Sequence, residues 1–181
     1  MKKVLVLVLS IFLLVGCTLN KNTPKGKTEE LFKKYQNLDN AVLDDLELVV
    51  EGTTLNTDSQ KNQYTNAIKM QYSDLKYDIE SESVNGDNAV VKVKISVYDF
   101  YKVQKDATTY KNSHESEFMT DGNYDLDKFL DYKLKEMQNT TDRVEYTIEI
   151  NLTKEDGKWK VNPLDKVTLE KIHGTYNYEV E

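Results

Sequence analysis

Residues 28–181 of this 181-residue chain predict an α+β domain, with N-terminal helices packed on one face of an antiparallel sheet. Three observations carry that reading. The apolar period switches from helical spacing in the first part of the chain to strict alternation at 75–79, 91–97 and 144–152. Two alternating runs end in turn signals, Asn85-Gly86-Asp87-Asn88 and Glu155-Asp156-Gly157-Lys158, which make hairpins and therefore antiparallel strands. Helices come first, then a hairpin, two helices and a second hairpin, an order that excludes regular βαβ alternation.

In chain order, residues 18–27 (TLNKNTPKGK) are polar and read as a short tether, with Thr23 as N-cap and Pro24 at the first position of the helix that follows. Leu31, Phe32, Tyr35 and Leu38 recur at helical spacing. Val42, Leu46, Val49 and Val50 mark the apolar face of a second helix, which Gly52 ends. Asp58 can cap a third, bearing Tyr64, Ala67, Ile68 and Tyr72. Leu75, Tyr77 and Ile79 then alternate toward the first turn. The strand over 89–101 is the clearest, with Val91, Val93, Ile95 and Val97 on one side and Lys92, Lys94, Ser96 and Tyr98 on the other.

Residues 102–118 return to helical spacing through Val103, Ala107, Tyr110, His114 and Phe118, against the β-branched pair Thr108-Thr109. Beyond a polar break at 120–125, Leu126, Phe129, Leu130, Leu134 and Met137 describe an amphipathic helix. Val144, Tyr146, Ile148, Ile150 and Leu152 alternate as a third strand. Trp159 and Val161 lie on a fourth, which Pro163 stops. Residues 164–173 suit a short helix ended by Gly174, and 175–181 an edge strand or a frayed tail. The sheet should bury its apolar face under the helices and leave its Lys/Glu/Thr face wet.

The first residues belong to a different physical regime. Lys2 and Lys3 precede an apolar run from Val4 to Val15, broken only by Ser10. It is shorter than the about 20 residues a membrane span needs and fits the apolar region of a signal peptide. The run ends in Leu14-Val15-Gly16-Cys17, which resembles the bacterial lipobox. That resemblance implies a diacylglycerol thioether on Cys17, cleavage before it, and acyl chains such as palmitate as the membrane anchor. At about 0.8 kcal/mol per buried CH₂, two or three chains anchor stably where one does not. The expected organisation is a lipoprotein signal peptide at 1–16, a lipidated N-terminus and tether at 17–27, and one domain at 28–181. Its location is the extracytoplasmic face of the cell membrane. Removal of the leader leaves 22 basic against 31 acidic residues, a charge of −9. Such a balance disfavours wrapping nucleic acid, and leaves the lipid, not a basic patch, as the membrane attachment.

The stretches KYQNLDNAVLDDL (34–46), QYSDLKYDI (71–79), VYDFYK (97–102), VEYTIEINLTKEDGKWKV (144–161) and EKIHGTY (170–176) give the domain a further resemblance. It is similar to the nuclear-transport-factor-2-like (NTF2-like, cystatin-like) superfamily, and more narrowly to lipoproteins of low-GC Gram-positive bacteria with no assigned chemistry. The resemblance implies a curved sheet closing into a cone over helices, with a pocket between them in many members. The helices at 102–138 depart from the simplest form of that fold.

Little chemistry is legible. The seven glycines form no phosphate loop, and neither Gly-x-Ser-x-Gly nor His-Glu-x-x-His occurs. Asp121, Asn123, Asp125 and Asp127 alternate as in a calcium loop but lack its Gly and closing Glu, and read as a helix-capping turn. No metal and no cofactor is expected. His114 reads as a core or rim histidine, and His173 as an imidazolium meeting the carbonyl end of its helix. Asp99, if the alternation of the second strand persists, points inward beside Tyr101 and is the one candidate general base. Tyr35, Tyr64, Tyr77, Tyr146 and Trp159 fall on inner faces and, with Asp99, are candidate pocket-lining residues. The expected function is a binding or interaction module for a small ligand or protein partner at the cell surface. The alternative is a small isomerase or hydrolase working through Asp99 and tyrosines.

Overall fold

The computed structural model describes residues 22–179. The chain runs through α1 (Pro24–Gln36), α2 (Asn40–Glu51), α3 (Asp58–Ser73), β1 (Lys76–Asn85), β2 (Asn88–Tyr98), α4 (Phe100–Ser113), β3 (Met119–Thr120), β4 (Asn123–Tyr124), α5 (Leu126–Asn139), β5 (Arg143–Glu155), β6 (Lys158–Val161) and α6 (Lys166–His173). The main sheet is antiparallel in the order β1-β2-β5-β6, and β3-β4 form a separate small ribbon. The fold is α+β, as the periodicity predicts.

The sheet's alternation does the sorting. Val91, Val93, Ile95 and Val97 are fully buried, and Tyr146, Ile148, Ile150 and Leu152 continue that inner face on β5. Phe32 of α1, Leu46 of α2, Ala67, Ile68 and Tyr72 of α3, and Ile172 of α6 close over it as one core. The opposite face is wet and charged, crossed by a Lys94–Glu145 ion pair at 2.7 Å. A register shift between Ile79 and Ser81 bends the edge strand β1.

Several boundaries move for local reasons. Thr23 caps α1, its side chain accepting from the Gly26 N–H, with Pro24 at the first helical position as read from the sequence, so the tether drawn to residue 27 gives up residues 24–27 to the first helical turn. Thr57, not Asp58, caps α3. Between the neighbours β2 and β5 the chain makes an excursion, with α5 packed on α3 and α4. Instead of one helix over 102–118, the structure has α4 and then a 3₁₀ turn, Glu115–Phe118. The polar break at 120–125 is the β3-β4 ribbon, and Asp125 caps α5. Val49, expected on the buried face of α2, is exposed.

The C-terminal segment is neither an edge strand nor frayed through residue 178. Tyr176 packs edge-on against Tyr146, and Tyr178 against Tyr101. Gly174 ends α6 at φ 71° and sits against the end of β2, where its carbonyl accepts from the Tyr101 N–H at 2.8 Å.

Candidate functional site

An open groove of about 770 Å³ lies between α1, α2 and the segment from β6 into α6. Each wall follows from local sequence. The period of α1 turns Leu31 and Tyr35 to one side, and α2 adds Val42 and Val49. The short β6 brings in Trp159 and Val161, and Pro163, which cannot extend the strand, carries the chain past Leu164 into α6. Tyr72 and His173 form part of the lining. Lys27 and Lys34 of α1, Asp45 of α2 and Lys160 of β6 make a rim of mixed charge, with Lys27 held by Glu30 at 2.6 Å.

At the aromatic end, Tyr35 meets Tyr72 edge-on, with ring centroids 4.9 Å apart. The Tyr72 hydroxyl is hydrogen-bonded to His173 Nε2 at 2.8 Å. Burial controls the protonation of all three. It raises the Tyr35 phenol to about 12, aided by the Asp45 carboxylate. It raises Tyr72 further, aided by Tyr35, Tyr64 and Asp45. It pushes His173 down to about 4. His173 is therefore a neutral imidazole near neutral pH, contrary to the imidazolium expected at its helix end. Desolvation in the groove outweighs the attraction of the helix carbonyls.

Of the residues singled out from sequence, Tyr35 and Trp159 line this groove. Tyr64 is half-buried on α3. Tyr77 stacks on Phe32 at 4.7 Å between centroids, on β1. Tyr146 lies in the core beneath Tyr176 and Lys171. Asp99 does not continue the inward alternation of β2, because the strand ends at Tyr98. Its Oδ1 accepts from the Lys102 N–H at 2.9 Å and caps α4, and its Oδ2 accepts from the Tyr178 hydroxyl at 3.0 Å. The carboxylate is buried, and both oxygens are engaged in folding contacts away from the groove. His114, expected on an apolar helix face, is exposed and stacks on Tyr110 at 4.0 Å. Cys17 lies outside the described residues.

Sequence reasoning missed the Tyr72–His173 pair. Each residue reads alone as a core aromatic or a helix end, and 101 positions separate them. Asn162 and Leu164 were also missed, since a non-periodic connection gives no pattern to read. Among the described residues no group of three or more His, Cys, Asp and Glu side chains is arranged to hold a metal ion. No described helix is long and apolar enough to cross a membrane.

No protein-family model and no curated protein matches the chain. Among solved structures it is similar to a candidate lipoprotein, ycdA, of Bacillus subtilis subsp. subtilis str. 168. The identity is 16%, the TM-score 0.47, and the match covers 76% of this chain and 46% of that one. The chain thus spans less than half the length of that structure.

Proposed function

We propose that the chain is a lipoprotein of the extracytoplasmic membrane face, held by lipid on Cys17, with an NTF2-like (cystatin-like) domain that binds an amphipathic ligand in the groove. The leader pattern ending at Cys17 supports the anchor. The groove carries the binding reading, since a concavity of about 770 Å³ with aromatic lining and charged rim has the size and chemistry of a ligand seat. Apolar parts of a ligand meet Leu31, Tyr35, Val42, Trp159 and Leu164. Its polar end meets Lys34 or Asp45 and the Tyr72–His173 pair.

The same site favours binding over catalysis. An efficient general acid or base holds its pKa near the working pH. Here burial drives Tyr72 upward and His173 down to about 4, so both are neutral and already bonded to each other. Such a pair orients a ligand. Asp99, the base of the enzymatic alternative, is occupied as a helix cap.

Trp159, the chain's one tryptophan, lines the groove and reports its occupancy. Energy transfer from Trp159 to anilinonaphthalene sulfonate should saturate in the wild type and weaken severalfold in Leu164→Lys. A signal indifferent to that substitution removes the groove from the proposal. Metabolic fatty-acid labelling should vanish in Cys17→Ala, and equal labelling of the two would sink the anchor.

A further inference from the structure

The way the chain enters the fold defines which end of the domain faces the lipid. We infer that the anchored domain meets the bilayer with the end of its sheet that carries the β1-β2 and β5-β6 turns, and that lipid headgroups are the partner of that surface. The inference rests on the lipid anchor at Cys17 proposed above.

Asn22 is tied to the β5-β6 hairpin on both sides of its side-chain amide. Its Nδ2 donates to the Gly157 carbonyl at 3.0 Å, and its Oδ1 accepts from the Trp159 N–H at 2.9 Å. Three residues later the Lys25 N–H donates to Glu82 Oε2 at 2.7 Å, on the β1-β2 hairpin. The two turns are themselves joined, since the Lys154 N–H donates to the Asp87 carbonyl at 2.7 Å. Asn22 and Lys25 thus lie at one end of the sheet, against both hairpins. Asn22 lies five positions after Cys17, so even a fully extended connection holds its Cα within about 18 Å of the Cα of the lipidated cysteine. The opposite end of the sheet, at Tyr98 and Arg143, lies about 35 Å farther along the strands. A connection of that reach cannot bring the far end to the membrane while the near end points away.

The surface at this end suits headgroups. Segments 22–26, 82–88 and 154–160 together carry four lysines and four acidic residues. That balance is even, whereas the chain without its leader carries −9, so this end adds no net repulsion toward an anionic leaflet. Val84, beside the first turn, is 51% exposed and offers an apolar side chain at the tip. The groove shares this end: Trp159, which lines it, is the residue whose N–H Asn22 holds.

The test uses the full-length protein expressed in its membrane form, labelled metabolically with fatty acid and reconstituted into vesicles of phosphatidylglycerol and phosphatidylethanolamine containing a dansyl-headgroup lipid. Energy transfer from Trp159 reports the near end. Thr141→Trp in a Trp159→Phe background reports the far end, from an exposed side chain. The expected result is transfer severalfold stronger from Trp159 than from Trp at 141, with equal fatty-acid label and equal circular dichroism. Should the Trp159→Phe background fold poorly, fluorophore-labelled Asp156→Cys and Thr141→Cys variants give the same comparison, with Cys17 blocked by its lipid. Labelled protein with equal transfer from both ends, or more from position 141, overturns the inference and leaves the anchor standing. Absence of fatty-acid label overturns the anchor, and this inference with it.

Discussion

Replacing Gly174 by alanine should be the most damaging single-methyl change in the domain, and its size can be worked from the backbone. Gly174 sits at φ 71°, a left-handed conformation that costs an L-residue about 1 kcal/mol. A Cβ there would lie 2.0 Å from the Tyr98 carbonyl oxygen and 2.4 Å from Gln71 Nε2. Neither can give way cheaply. The buried Gln71 amide bridges the end of β2, with Nε2 donating to the Tyr98 carbonyl at 3.0 Å and Oε1 accepting from the Tyr98 N–H at 2.7 Å. Moving Gly174 away instead breaks its bond to the Tyr101 N–H. Loss of one or two of these buried bonds adds about 2–3 kcal/mol, for a total of about 3–4 kcal/mol. In a domain of this size that lowers Tm by roughly 8–16 °C. Gly157 supplies the control, since it shares the positive φ, 75°, with nothing within 4 Å of its Cβ position. Gly157→Ala should therefore cost only the conformational part, about 1 kcal/mol. Urea unfolding followed by circular dichroism reads both. If Gly174→Ala falls within about 1 kcal/mol of Gly157→Ala, the close contact of α6 with the end of β2 is not what holds that corner together.

Three further outcomes follow from buried polar contacts. An unfolded His173 takes up its proton near 6.5 and the folded one only near 4, so the unfolded state binds more protons between those values. Stability should be full above pH 6.5 and fall as the pH drops to about 4, by up to about 3 kcal/mol. Denaturant midpoints against pH should show that limb flattened in His173→Gln, and an unchanged limb would assign it to other groups. Arg143, the chain's one arginine, donates to Asp74 Oδ2 and O and to Ser96 O and Oγ, and stacks on Tyr98. Arg143→Lys keeps the charge but not the fork, and should cost about 1–3 kcal/mol in urea unfolding. Asp99→Ala removes the α4 cap and the acceptor of Tyr178, and should lower stability by about 1–3 kcal/mol. Asp99→Asn retains an acceptor for the cap, and calorimetry should place it much closer to wild type.

Most of the fold was legible because one-dimensional patterns decide it. The alternation of Val91, Val93, Ile95 and Val97 needs no knowledge of partners to place those side chains inside, and they are fully buried. Asp156-Gly157 likewise announces a turn with two positive φ angles, 49° and 75°. Asp99 shows where this logic stops. Alternation extends to it, but a carboxylate three residues before an available N–H is also a helix cap, and capping ended the strand at Tyr98. His173 failed differently. Its helix end and the Gly174 cap were readable, whereas its environment depends on Tyr72, brought in from α3 by packing alone. The groove was unreadable for the same reason, because its walls come from α1, α2, α3, β6 and α6 and no local pattern reports their meeting.

The short helix α6 links the site to the stability of the whole domain. Its eight residues bring Leu169 and His173 to the groove, while Gly174, the next residue, locks against the Gln71–Tyr98 bridge and the start of α4. Opening the groove by displacing α6 must therefore disturb the bridge that joins α3 to β2, and tightening that bridge must hold α6 in place. A ligand seated against Leu169 and His173 binds the folded state only, and stabilises it by RT ln(1 + [L]/Kd). Because α6 belongs to both structures, part of that stabilisation should appear as slower hydrogen exchange at the Tyr98 and Tyr101 amides, which the ligand does not touch. Both N–H groups are held by this corner, one by Gln71 Oε1 and the other by the Gly174 carbonyl. Their protection thus separates a ligand that engages α6 from one that rests only on α1 and α2, where these two amides would exchange as in the free protein.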